Sequence, residues 1–150
     1  MTLTDVNHIP YKGTGPLLND LMGGQIAFAF DQITGVMSPI QAGKMRALGV
    51  ASAERNPALP DVPAIAEVLP GFESVAWVGI LAPAKLPFEV TQKIQLETKT
   101  ILRLPDIAQR MKELGATPVA SVPTEFAAFM AKDTEKWRSL VASARIKIEQ

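Results

Sequence analysis

Residues 8–32 constrain the fold of this chain more than any other stretch. They read His-Ile-Pro-Tyr-Lys-Gly-Thr-Gly-Pro-Leu-Leu-Asn-Asp-Leu-Met-Gly-Gly-Gln-Ile-Ala-Phe-Ala-Phe-Asp-Gln. The pattern predicts a strand over residues 8–11, a tight loop over 12–15, a helix over 16–22 and a second strand over 25–30. Gly13 and Gly15 open backbone conformations that other residues avoid. Pro16 suits the first helical position, where no amide donor is needed, and Gly23-Gly24 stop the helix. Such a loop turns the unpaired amides of a helix N-terminus toward whatever lies above it, and those amides and the helix dipole attract anions. Two readings stand on these residues. A carboxylate or phosphate binds there, or the loop is an ordinary βαβ turn carrying nothing.

The next segments extend the pattern. Asp31 and Gln32 fall at the carboxyl end of the second predicted strand, where ligands gather in open α/β sheets. Asp31 is read either as a ligand-orienting acceptor or, slightly ahead of that, as the N-cap of the next helix. That helix is expected to run to Ala42, disturbed by Pro39 and closed by Gly43. An apolar strand over residues 47–51 completes a βαβαβ half-domain. Pro57, Pro60, Pro63 and Pro70 then crowd one segment. It reads as a stiff surface connection or hinge, with one helical turn near residues 64–68. Residues 78–82 and 117–120 are further predicted strands.

From residue 87 the chain turns helical. Three helices are predicted, over about 87–103, from Pro105 to Gly115, and from Pro123 to about Ala144. Val90, Ile94 and Ile101 stripe the first. Phe126, Met130, Trp137, Leu140, Val141 and Ala144 stripe the last, and both stripes are read as core. Trp77 is read as packed rather than ligand-stacking. A boundary is expected between residues 76 and 77, separating an α/β portion (1–76) from a helix-rich portion (77–150).

Composition narrows the function. The 150 residues balance 15 basic against 15 acidic side chains, with 47% hydrophobic residues. Nothing here favours nucleic acid, which demands a basic excess. There is no cysteine, and His8 is the single histidine, so thiolate sites have no material, and a dedicated zinc site or the usual nucleophile–base pairs have little to work with. The Walker spacing fails, the third Rossmann position holds Leu18 instead of glycine, and no G-x-S-x-G occurs. No enzyme motif, metal site or cofactor is expected. The first residues carry neither a basic nor an apolar signal segment.

The ordered motifs resemble a known family. Residues 8–16, the Asp-Leu-Met-Gly-Gly-Gln run of residues 20–25, the Ala-Phe-Asp at 29–31 and the Ala-Gly-Lys-Met-Arg-Ala-Leu-Gly-Val of 42–50 are similar to the second half of Bug-type solute-binding receptors of tripartite tricarboxylate transporters. Leu-Pro-Asp-Val-Pro at 59–63, Pro-Gly-Phe-Glu at 70–73, Trp-Val-Gly at 77–79, Ala-Pro at 82–83 and Pro-Thr-Glu-Phe-Ala-Ala-Phe at 123–129 continue the match in order. The resemblance implies a periplasmic-binding-protein-like α/β fold, incomplete relative to the two-lobe family. It implies a small carboxylate as ligand and membrane transporter subunits as partners. Carried over by position, Tyr11, Lys12, Gly13, Thr14, Gly15, Asp31 and Gln32 are the expected ligand-binding residues. The family's first half, with its export signal, has no counterpart in these residues. Weakened ligand binding and self-association through unpaired edges, or domain swapping, are therefore expected, with a module that only self-associates as the alternative.

Overall fold

The structure, a computed structural model, describes residues 6–144. Five α-helices run in order: α1 Thr14–Met22, α2 Ile33–Gln41, α3 Phe88–Ile101, α4 Pro105–Glu113 and α5 Pro123–Ala144, with a 3₁₀ turn at Ile65–Glu67 between α2 and α3. The chain divides into two compact units. The first takes residues up to Ile80 together with Pro105–Thr117, and the second takes Leu81–Leu104 and the residues from Pro118 onward. The chain leaves the first unit after Ile80 and returns to it for α4.

All five helices stand close to where periodicity and punctuation put them. Three share one stop. Gly24, Gly43 and Gly115 take left-handed backbone angles, φ 72°, 68° and 70°. After α1, Gln25 N–H reaches Asp20 C=O at 2.8 Å and Gly24 N–H reaches Leu21 C=O at 3.2 Å. After α2, Lys44 bonds Pro39 and Gly43 bonds Ile40; after α4, Ala116 bonds Met111 and Gly115 bonds Lys112. These paired bonds are Schellman motifs, which satisfy orphan carbonyls at the helix end. Pro39 sits late in α2 and leaves Ala42 N–H bonded to Ser38 C=O at 3.0 Å.

The predicted strands do not form. Among the described residues the β structure is one parallel bridge, Val50 with Ala64. It is made by Val50 N–H on Pro63 C=O and Ile65 N–H on Val50 C=O, each 2.9 Å. Residues 8–11, 28–30 and 78–82 run without regular structure. A strand exists only through a neighbour that takes its backbone groups, and these segments find none among the described residues. Residues 25–27 are bends following the α1 stop. Residues 117–120 fail for a local reason: Ala120 has φ 51°, outside any strand conformation.

The proline-rich segment is pinned inside the first unit rather than serving as a hinge between units. Arg55 forks onto Glu67, with Nε to Oε1 at 2.7 Å and Nη2 to Oε2 at 2.8 Å, and its Nη1 reaches Pro60 C=O at 3.2 Å. Glu67 also accepts Ala64 N–H at 2.9 Å. The Asn56 side chain donates to Gly115 C=O at 2.9 Å, tying this segment to the end of α4. Pro70 and Gly71, the latter at φ 83°, turn the chain so that Phe72 N–H meets Leu69 C=O at 3.0 Å.

The core is small. Met37 and Ala64 are the buried hydrophobic residues among those described, each 1% exposed. Gly115 is the reason α4 can end against Met37: a Cβ there would lie 2.8 Å from Ile33 Cδ1 and 2.9 Å from Met37 Cε. In the second unit α3 and α5 touch, and Gln95 donates to Ala120 C=O at 3.1 Å. The stripes read as core are only partly covered: Phe126, Met130 and Val141 on α5 are half-buried, whereas Val90, Ile94 and Ile101 on α3, and Trp137 and Leu140 on α5, are exposed. Trp77, read as packed, is 40% exposed.

Candidate functional site

The glycine loop does what its sequence asks. Gly13, at φ 104° and ψ 172°, is the N-cap of α1 and offers no side-chain acceptor to the first turn. Such a φ suits glycine alone without strain. The helix begins two residues earlier than Pro16, at Thr14. Among the described residues, no backbone acceptor takes the N–H of Lys12, Gly13, Thr14 or Gly15.

A second helix start lies beside it. The N-cap of α2 is Gln32, in extended geometry and without a side-chain cap. Asp31 is therefore not the cap that its residue type suggested. Its Oδ1 accepts the Gln32 N–H at 2.7 Å and the Thr14 hydroxyl at 3.1 Å. That second bond links the first residue of α1 to the entry of α2. Gly35 makes the approach possible, since a Cβ there would meet Thr14 Cγ2 at 3.1 Å. Gly35 N–H folds back onto Gln32 C=O at 3.0 Å, and the Ile33 and Thr34 amides find no backbone acceptor among the described residues.

Two helix N-termini thus converge on one patch, with a hydroxyl and a carboxylate between them. Unpaired first-turn amides and the positive ends of two dipoles favour a negative group. Asp31 opposes that charge locally and is itself an acceptor for a ligand hydroxyl or a bridging water. Gly13, Gly15, Asp31 and Gln32 are exposed and Thr14 is half-buried. The Lys12 ammonium and the Gln32 amide are exposed with no partner among the described residues. The Tyr11 hydroxyl donates to Asp20 Oδ2 at 2.8 Å. That hydrogen bond to a carboxylate raises the phenol pKa above its ordinary value. Tyr11 braces the strand-like entry against α1.

Three contributors escaped sequence reasoning: Gly35, Asp20 and the first-turn amides of α2. A glycine at the third position of a helix marks a close approach in principle, but only the fold says what approaches. No group of histidine, cysteine and acidic residues able to hold a metal occurs among the described residues. No helix described is long and apolar enough to cross a membrane.

Comparison with known proteins places these features in a family. Residues 2–146 match the model of the tripartite tricarboxylate transporter family receptor. Among solved structures, the periplasmic binding protein BugD is 34% identical with a TM-score of 0.84, over 97% of this chain and 50% of that one. An R. palustris protein solved with adipate is 29% identical, TM-score 0.83, over 92% of this chain and 46% of its own. MatC from Rhodopseudomonas palustris with bound malate is 33% identical, TM-score 0.78, over 91% of this chain and 48% of its own. The chain spans about half the length of these solved relatives. Its described residues correspond to part of a periplasmic-binding-protein-like structure. The chain belongs to the tripartite tricarboxylate transporter receptor family, a class of solute-binding receptors.

Proposed function

We propose that this chain contributes one face of a receptor site for a small dicarboxylate, which the receptor hands to a tripartite tricarboxylate-type transporter from the periplasm. The observation that carries the reading is the convergence of the α1 and α2 N-termini at Thr14, Asp31 and Gln32. One ligand carboxylate lies over the amides of Gly13, Thr14 and Gly15, with Lys12 beside it. Asp31 and Gln32 take a hydroxyl or an ordered water attached to the ligand. Two relatives solved with diacids, adipate and malate, support the ligand class. A binding role agrees with the family, a class of solute-binding receptors.

The test is a melting-temperature screen with millimolar malate, succinate and adipate, since a ligand that binds only the folded state stabilises it by mass action. A rise with at least one diacid is expected. It is expected to disappear in Gly15→Val, whose added Cβ meets nothing within 4 Å in the free protein and whose bulk crowds the proposed carboxylate beside the Gly15 amide. Circular dichroism of that variant stays unchanged. Absence of any shift in the wild-type chain, or a shift that survives Gly15→Val, overturns the reading.

A further inference from the structure

Tyr11 stands directly before the glycine loop, and Asp20 lies on the helix that follows it. The bond from the Tyr11 hydroxyl to Asp20 Oδ2 joins two half-buried side chains across residues 12–15. Among the described residues it is the only hydrogen bond made by residues 7–12. No other hydrogen bond there ties the entry of the loop to the rest of the unit.

Asp20 is poorly placed for the helix itself. It stands two residues before Met22, the last residue of α1. Aspartate is among the weaker helix formers, and a negative charge near a helix C-terminus opposes the dipole. The first turn, where an acidic residue would help, has none. The Asp20 carbonyl accepts Gln25 N–H in the stop after α1, but that bond does not depend on the side chain. What aspartate adds at this position is an acceptor for Tyr11.

We propose that Asp20 is a positioning residue for the ligand site, acting through Tyr11 to hold the glycine loop with its amides set for one carboxylate of a dicarboxylate. The inference rests on the dicarboxylate reading and gives both residues a role one step away from the ligand. The bond spans nine positions and joins no distant part of the first unit, so its loss loosens the loop rather than the core. A looser loop binds more weakly, because the ligand must then order the amides that hold it. The bond to the carboxylate also raises the Tyr11 pKa, which keeps the phenol a donor at neutral pH.

Two measurements test it. Tyr11 is the single tyrosine, so phenolate absorbance against pH reports this bond alone. The wild-type phenol is expected to ionise at higher pH than that of Asp20→Ala, and equal values overturn the inference. Affinity is read from the concentration dependence of the melting temperature with malate, succinate or adipate, whichever raises it most. It is expected to fall about five- to tenfold in Tyr11→Phe and in Asp20→Ala, and no further in the double variant, since the two share one contact. Asp20→Asn, whose amide oxygen still accepts the phenol, keeps most of the binding, and Asn19→Ala, at an exposed neighbouring position of α1, leaves it unchanged. Without ligand, Asp20→Ala melts close to the wild type, the lost hydrogen bond being offset by the better helix former; a large fall marks a structural role and overturns the inference. Wild-type affinity in both single variants, or a loss in Asp20→Asn equal to that in Asp20→Ala, overturns the inference alone. No shift of the wild type with any of the three diacids overturns it together with the dicarboxylate reading.

Discussion

Gly115 offers the sharpest test of how the first unit holds together. It answers two demands at once. Its φ of 70° closes the Schellman motif of α4, and its missing Cβ admits Ile33 and Met37. Gly115→Ala meets both. Placing a side chain in the left-handed region costs about 1 kcal/mol. Forcing the Ile33 and Met37 termini outward by several tenths of an ångström adds roughly 1–3 kcal/mol, the usual cost of overpacking. Gly43→Ala serves as the reference, because Gly43 has nearly the same φ, 68°, with nothing within 4 Å of its would-be Cβ. The expected losses are about 1 kcal/mol for Gly43→Ala and about 2–4 kcal/mol for Gly115→Ala. Urea denaturation followed by circular dichroism measures both. Adding Met37→Ala to Gly115→Ala should recover part of the packing cost, so that the double variant loses less than the sum of the singles. Equal losses at Gly115 and Gly43, or strict additivity with Met37→Ala, would refute the packing argument.

Three further outcomes follow. The Arg55 guanidinium and the Ala64 N–H hold the Glu67 carboxyl down at about 2. A depressed folded-state pKa gives stability that is complete above the ordinary carboxylate range, near pH 4.5, and is lost as pH falls toward 2; in Glu67→Gln the fall in stability over that window should be shallower. Trp137, read from its stripe as core, would then lose about 3–5 kcal/mol on truncation. At 39% exposed it should lose only about 2 kcal/mol in Trp137→Ala by denaturant titration, and a loss of the full size would mean it is covered in solution. Ala120→Gly should stabilise the second unit by up to about 1 kcal/mol, because φ 51° favours glycine; a destabilised variant would contradict that backbone.

How much of this was legible in the sequence depends on how local each cause is. The helices were legible because their signals sit within a few residues: Pro123 at a start, Gly24, Gly43 and Gly115 at stops, apolar spacing between. The glycine N-cap of α1 at Gly13 was legible for the same reason. The strands were not, because alternation in residues 25–30 or 78–82 states only that a segment would suit a sheet, and pairing is decided by a neighbour elsewhere. Asp31 shows the same limit on a smaller scale. Its type favours capping, yet Thr14, seventeen residues upstream, provides the hydroxyl it binds. The partly covered stripes on α3 and α5 are apolar faces; spacing reports that a face exists and is silent on how much of it is covered.

The three left-handed helix stops have a consequence for how the chain reaches this arrangement. Each reversal of direction is decided by bonds spanning six residues or fewer, so corners form without waiting for distant parts to meet and with little loop-closure penalty. Distant contacts such as Asn56 with Gly115 then only select among turns already made. Helix ends closed this way are set by the residues beside them, whatever lies over the apolar faces further along the chain.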